Sequence, residues 1–344
     1  MKTQSRKNNF NLIRLVLALL VIFGHSPELI DGNRQREWLT QLFGTVSFGE
    51  LAVNGFFLLS GYLIVQSWDL HPKAWQFLKK RLLRIYPGFI IASLISALIV
   101  GPLASQSSNY FDIFDPASFL LGTAFLTIPA TPAVFDGTPY AMVNGAMWTI
   151  SKEFICYLLV LVAGVAGVLR RRHVFLALTL LVLLTFAWCK LKNISVVDLR
   201  LASFFLSGAC YYLYRDHIAY KGPIAAAAAL VTIICMCSWR LAELGMVTVG
   251  GYALLYIAEK RSELLSHFNR LPDISYGVYL YGWPIQKLLL WYYPSLSPWE
   301  LFSYSATAAI IAGTISWYLV EKPALRFKSR SLAMSGDTQQ KMAS

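Results

Sequence analysis

Apolar runs of bilayer-spanning length recur along this chain, at approximately residues 11–30, 44–66, 82–104, 144–168, 173–190, 199–214, 223–240, 244–258, 274–293 and 301–320. No other feature restricts the fold so tightly. In hydrocarbon every backbone N–H and C=O must be satisfied inside the protein, so only helices and closed barrels cross a membrane. A barrel would read as short segments of alternating polarity, and none is visible. The pattern therefore predicts an all-α, polytopic integral-membrane bundle of about ten transmembrane helices. Composition agrees, with 56% of the 344 residues apolar and 14% charged, against about 25% charged in soluble domains.

A formal net charge of +12 invites a nucleic-acid reading, but the basic residues sit between the apolar runs. Topology accounts for them first. With the N-terminus inside, the cytoplasmic segments collect Lys73, Lys79, Lys80, Arg81 and Arg84; Arg170 to Arg172; Arg215 and Lys221; Lys260, Arg261 and Arg270; and Lys322, Arg326, Lys328 and Arg330. The opposite side holds few, namely Arg34, Arg36, Lys190, Lys192, Arg200 and Arg240. Both termini are therefore expected in the cytoplasm, with membrane lipids as surroundings and no nucleic acid as partner. Lys2, Arg6 and Lys7 before the first run outline a signal peptide, but Gly24-His25-Ser26-Pro27 follows where a small-residue cleavage site would stand, so the run is expected to be retained. The five cysteines lie in or beside apolar stretches and read as small buried hydrophobes, without metal-ligand spacing.

The first run, NLIRLVLALLVIFGHSP, carries Arg14 and His25. Their separation corresponds to about three turns plus 20°, so both project from one face about 16 Å apart. Ionisable side chains inside a span are costly and mark functional sites by default. The plainer reading has Arg14 snorkelling to the surface and His25 hydrogen-bonded in the core.

Other stretches also interrupt the apolar pattern. FFLLSGYL places Ser60-Gly61 within a run, where small residues let helices approach closely. FLKKRLLRIYP sets Lys80, Arg81 and Arg84 three and four residues apart, a phosphate clamp or simply a topology signal. MWTISKEFICY puts Lys152 and Glu153 within an apolar run, and ISYGVYLYGWPIQ is aromatic and broken by proline. YLVEKPALR places Glu321 at the inner end of the last run. The longest outer connection, roughly 105–143, has no Lys or Arg but holds Asp112, Asp115, Asp136, four prolines and many aromatics. Its apolar piece Phe119 to Ile128 is too short to span and reads as interfacial or re-entrant. Aromatics among carboxylates suit stacking on a sugar ring as well as interfacial anchoring.

Arg-x10-His, FFLLSGYL, FLKKRLLRIYP, MWTISKEF, ISYGVYLYGWPIQ and YLVEKPALR stand in the order found in the membrane acyltransferase-3 family, which the chain resembles over about residues 8 to 328, leaving 329–344 as a disordered cytoplasmic tail. These are bacterial O-acyltransferases that modify surface polysaccharides. One departure is Gly282 in Tyr281-Gly282-Trp283-Pro284, where many members resemble YLWHWP. The resemblance implies a multi-pass protein of the bacterial inner (cytoplasmic) membrane. It would use acetyl-CoA as donor and no metal, and acetylate a hydroxyl of a glycan or lipid-linked glycan such as an O-antigen, capsule or exopolysaccharide.

In that reading Arg14, Lys80, Arg81 and Arg84 bind the acyl-CoA at the cytoplasmic mouth. His25 is the general base and Glu153 the carboxylate that orients it. Ser60, Tyr62, Trp148, Lys152, Tyr276 and Tyr279 would line the active site. The rival is a secondary transporter using the buried Arg, His, Lys and Glu residues as a relay, although no related pair of interrupted halves is visible.

Overall fold

The computed structural model of the protein describes residues 8–260 and 272–326. Lys2, Arg6, Lys7, Arg261, Arg270, Lys328, Arg330 and the expected tail 329–344 lie outside the described residues. Within them the chain is all-helical, with a helix at each of the ten apolar runs. In order these are α1 (Phe10–Asp31), α2 (Phe48–Leu70), α3 (Ala74–Ala104), α4 (Trp148–Val165) and α5 (Arg172–Leu191). Then come α6 (Val197–Leu213) and α7 (Gly222–Met236). α8 comprises Ala242–Gly245 and Gly251–Glu259 around the π turn Met246–Gly250. α9 is Ser275–Tyr292, and α10 is Pro298–Ser316 continued by the π turn Trp317–Glu321. Helices α1 to α5 are long and apolar enough to cross a membrane, whereas the rest are shorter or more polar. The molecule is a multi-pass membrane protein.

Local chemistry fixes the helix ends. Ser47 and Glu50 form a capping box at the start of α2, as Ser297 and Glu300 do at α10. α1 ends at Gly32, whose φ of +78° lets its N–H return to the Glu28 carbonyl at 2.8 Å. Two boundaries differ from the expectation. α2 begins at Phe48 rather than 44, because Gly44 closes a separate short helix, Trp38–Phe43, in a left-handed conformation. α3 begins at Ala74 rather than 82, so Lys80 and Arg81 stand inside the same helix as Arg84.

The bundle is organised around α1, which packs on α2, α9 and α10. Gln286 of α9, fully buried, donates to the Ile22 carbonyl at 2.8 Å and to Ser26 Oγ at 2.9 Å. A buried amide needs such partners, and these fix α9 against α1 just below His25. On the outside of the bundle, Leu178, Leu181 and Leu184 of α5 and Leu230 and Ile234 of α7 are exposed. Apolar rows turned outward suit lipid, not water.

α2 and α6 cross at backbone contact. A Cβ at Gly61 would lie 1.8 Å from the Phe205 carbonyl oxygen, and one at Gly208 would lie 1.9 Å from that of Leu58. Close approach through small residues is the packing role read from the sequence. Gly208→Ala is expected to destabilise the protein by about 3 kcal/mol, the upper part of the overpacking range, because a carbonyl cannot swing aside as a side chain can. The check is the thermal unfolding midpoint in detergent; an unchanged midpoint would mean a looser crossing.

The long connection at 105–143 is partly ordered by α9. Lys287 Nζ donates to Thr138 Oγ1 at 2.6 Å, and Asn144 Nδ2 donates to the Leu280 carbonyl at 2.8 Å. The expected interfacial piece is a short helix, Pro116–Ala124, capped by Asp115 and exposing Leu120 and Leu121. Asp112, Asp115 and Asp136 all face outward. Cys156 and Cys189 are buried, but Cys237 is exposed, against the expectation for it; all five cysteines are free.

Candidate active site

His25 lies near the end of α1, on the wall of a cavity of about 490 Å³. Its Nδ1 stands 3.3 Å from Glu28 Oε2, one helical turn on. A proton on Nδ1 donated to that carboxylate leaves the lone pair on Nε2. Glu28 is held in turn, since Tyr140 donates its phenol to Oε1 at 2.5 Å and Arg34 Nε donates to the same oxygen at 2.7 Å. Burial, with the bond to Glu28 adding to it, pushes the Tyr140 phenol up and keeps it a donor. Trp283 meets the imidazole edge-on, with ring centroids 4.9 Å apart. The ring is thus held through one nitrogen and one edge. Such an imidazole can accept a proton at Nε2 while Glu28 stabilises the cation that forms.

Towards the other end of α1 lies a second, smaller cavity of about 40 Å³, lined by Arg14, Phe56, Glu153, Tyr276 and Tyr279 among others. Val53 and Tyr279 line both cavities. The Tyr279 hydroxyl is fixed between Thr149 Oγ1 at 2.6 Å and the Ala146 carbonyl at 2.7 Å. Arg14 Nη1 reaches Asp273 Oδ2 at 3.0 Å, and Arg84 Nη2 reaches the same oxygen at 2.5 Å. Burial pushes the Asp273 carboxyl up, but the two guanidiniums outweigh it and hold it at about 2. It is an anion at any physiological pH.

The structure divides the residues expected to act together. Glu153 does not pair with His25. Ser60 and Tyr157 donate to its Oε1 at 2.7 and 2.6 Å, and Glu28 takes the place beside the imidazole. Trp148 lines the larger cavity with His25, Tyr276 the smaller one and Tyr279 both. Ser60 stands behind Glu153, while Tyr62 donates to Glu259 at 2.9 Å, and neither lines these cavities. Lys152 pairs with Asp198 at 2.9 Å and lines neither.

The expected clamp also separates. Arg84 joins Arg14 at Asp273, whereas Arg81 donates to Ser67 Oγ at 3.2 Å and lies 5.7 Å from the ring centres of Phe77 and Tyr157. Lys80 is half-buried one turn before Arg84. At Gly282 a Cβ would lie 2.7 Å from the Ile22 side chain, so a histidine there requires that side chain to move.

Glu28 and Asp273 went unread in the sequence. The i,i+3 spacing of His25 and Glu28 was the available signal. For Asp273 it was a carboxylate directly before the ISYGVYLYGWPIQ stretch, in a connection that also holds Lys260, Arg261, Glu263 and Arg270.

An acyltransferase domain family matches residues 7–321. A protein described as O-acetyl transferase, from Shigella phage Sf6, is 26% identical over 346 residues, covering 95% of this chain and 97% of that protein. Nodulation protein 10 of Rhizobium leguminosarum bv. viciae is 24% identical over 380 residues, covering 96% of each chain. The acyltransferase MdmB of Streptomyces mycarofaciens is 30% identical over 121 residues, 35% of this chain and 29% of that one. No solved structure matches.

Proposed function

This chain belongs to the acyltransferase-3 family, and on that premise we propose that it moves an acetyl group from cytoplasmic acetyl-CoA to a hydroxyl of a periplasmic or surface glycan, with His25 as general base. One observation carries the reading. His25, its Nδ1 taken by Glu28, lines a cavity that shares Val53 and Tyr279 as walls with the cavity lined by Arg14. The protein would sit in the inner membrane with about ten crossings and both termini in the cytoplasm.

In this scheme the donor phosphates dock at the inner end against Arg14, Arg84 and the basic face of α3. The pantetheine arm follows α1 towards His25, a rise of about 16 Å. An inner cavity of about 40 Å³ is too small for that arm. Donor entry therefore requires side chains such as Tyr276 and Tyr279 to turn. At the outer cavity the acceptor hydroxyl gives its proton to Nε2 as its oxygen attacks the thioester carbon. The C–S bond then breaks, and the imidazolium returns the proton to the departing CoA sulfur. Glu28 supports the imidazolium meanwhile. Glu153, beside Arg14 on the inner cavity, serves the donor end.

The reaction is tested with purified protein, acetyl-CoA and deacetylated lipopolysaccharide, following free thiol. Acceptor-dependent CoA release with acetyl ester on the glycan is expected; a transporter would release none. Arg14→Lys keeps the charge but loses the planar fork. It is expected to raise the acetyl-CoA KM by about tenfold and to change kcat less. Equal effects on both constants would remove Arg14 from ground-state donor binding.

A further inference from the structure

We propose that the wall of the outer cavity built by Lys190, Arg200, Glu243 and Trp239 is the acceptor subsite, and that it takes an uncharged pyranose unit. The inference deepens the reading of His25 as the base of an acyl transfer and rests on it for the word acceptor. The wall belongs to three helix ends that take no part in the donor site. Lys190 closes α5, Arg200 opens α6, Glu243 opens α8, and Trp239 lies in the turn before α8. All four share one cavity with His25. Its volume of about 490 Å³ falls in the range of about 300–1,000 Å³ typical of small-molecule sites.

The side chains form a network rather than separate pairs. Glu243 accepts from Lys190 at 2.7 Å through one oxygen and from Arg200 at 3.0 Å through the other. Arg200 also stands 3.5 Å from Glu50, and Lys190 Nζ lies 5.6 Å from the centre of the Trp239 ring. Arg200 and Glu243 are only 9% and 8% exposed, and Arg200 Nε has no hydrogen-bond partner. Buried ion networks contribute little net stability, because desolvation offsets their attraction. Placed on the wall of a cavity that holds a reactive imidazole, such a network can instead select what enters.

Charge decides what it selects. The cavity wall carries three cations, Arg34, Lys190 and Arg200, and three anions, Glu28, Glu50 and Glu243. A carboxylate ligand would have to compete with Glu243 for both of its cations. A sugar hydroxyl accepts from Arg or Lys and donates to Glu together, so a polyol inserts into the network without changing its charge. Trp148 and Trp239 add two indoles to the same wall, flat apolar surfaces for the C–H face of a pyranose.

The test is ligand-observed NMR titration of the full chain in nanodiscs. The probes are the methyl glycosides of glucose, galactose and rhamnose, and methyl glucuronide. Wild type is expected to bind at least one neutral glycoside, and the glucuronide at least about fivefold more weakly. Trp239→Ala should weaken the neutral ligand by about fivefold or more. Glu243→Gln frees Lys190 and Arg200 from their carboxylate, so it should reverse the order and favour the glucuronide. A merely structural role would not produce that gain. Thermal midpoints near wild type establish that both variants are folded.

The proposal is overturned if wild type binds no neutral glycoside or prefers the glucuronide. It is equally overturned if neutral affinity stays within about twofold of wild type in both variants. No donor enters these titrations. Should the binding pattern hold while acetyl-CoA is never turned over, the subsite stands and the acetyl-transfer reading fails.

Discussion

His25→Ala is expected to lower acetyl transfer by about 10²–10⁴-fold, the usual contribution of a positioned general base. The loss should fall in kcat, with acetyl-CoA affinity nearly unchanged, because the proposed donor site lies at the other end of α1 around Arg14. Stability should change little. The imidazole is 20% exposed and borders an open cavity, so its removal leaves no closed void among packed side chains. The variant is to be compared with wild type by acceptor-dependent CoA release and by donor binding in the same preparation. A variant that keeps near-full turnover would remove His25 from the chemistry.

Glu28→Gln is expected to cost nearly as much. Glu28 receives three donors, from His25, Tyr140 and Arg34. An amide of the same shape has one acceptor oxygen, so its NH₂ must face either His25 alone or Tyr140 and Arg34 together. Turned to His25, it donates to Nδ1 and moves the imidazole proton to Nε2, where no lone pair then remains for the acceptor hydroxyl. The variant also loses the negative charge that supports the imidazolium. The corresponding amide in the serine-protease triad costs about 10⁴-fold, and about 10²–10⁴-fold is expected here on the same argument. Glu153→Gln, by contrast, should leave kcat within about tenfold, since Ser60 and Tyr157 and not His25 bind that carboxylate. If the two variants exchange these effects, Glu153 is the orienting group and the geometry beside His25 is incidental.

That contrast shows where the sequence was readable. Periodicity and hydropathy located a helix at each of the ten apolar runs, because lipid enforces backbone pairing within each segment. The turn arithmetic on α1 likewise put Arg14 and His25 on one face, and the two line neighbouring cavities that share Val53 and Tyr279 as walls. Side-chain partners were less legible. Lys152 and Glu153 are neighbours in sequence, but successive helical residues diverge by about 100°. Lys152 turns to Asp198 and Glu153 to Ser60, so the two do not face one site. The partner of His25 is Glu28, one turn on along the same helix.

Long-range assembly was hidden for a different reason. Lys190, Arg200 and Glu243 meet only because three helix ends converge, and no spacing encodes that. In the connection at 105–143, Asp115 is used as a helix cap and Asp112 and Asp136 face outward, roles that composition alone does not separate. Arg14 and Arg84 likewise share Asp273 through tertiary contact between α1, α3 and the segment before α9.

The central claim is that one imidazole joins a donor from one side of the membrane to an acceptor from the other. It is tested most directly in proteoliposomes of defined orientation, with radiolabelled acetyl-CoA confined to the face that carries Arg14 and the glycan acceptor confined to the face that carries His25. The account predicts labelled glycan on the acceptor face and free CoA on the donor face, both lost in His25→Ala. Label on the glycan only when both substrates share one face, or undiminished label with His25→Ala, would contradict it.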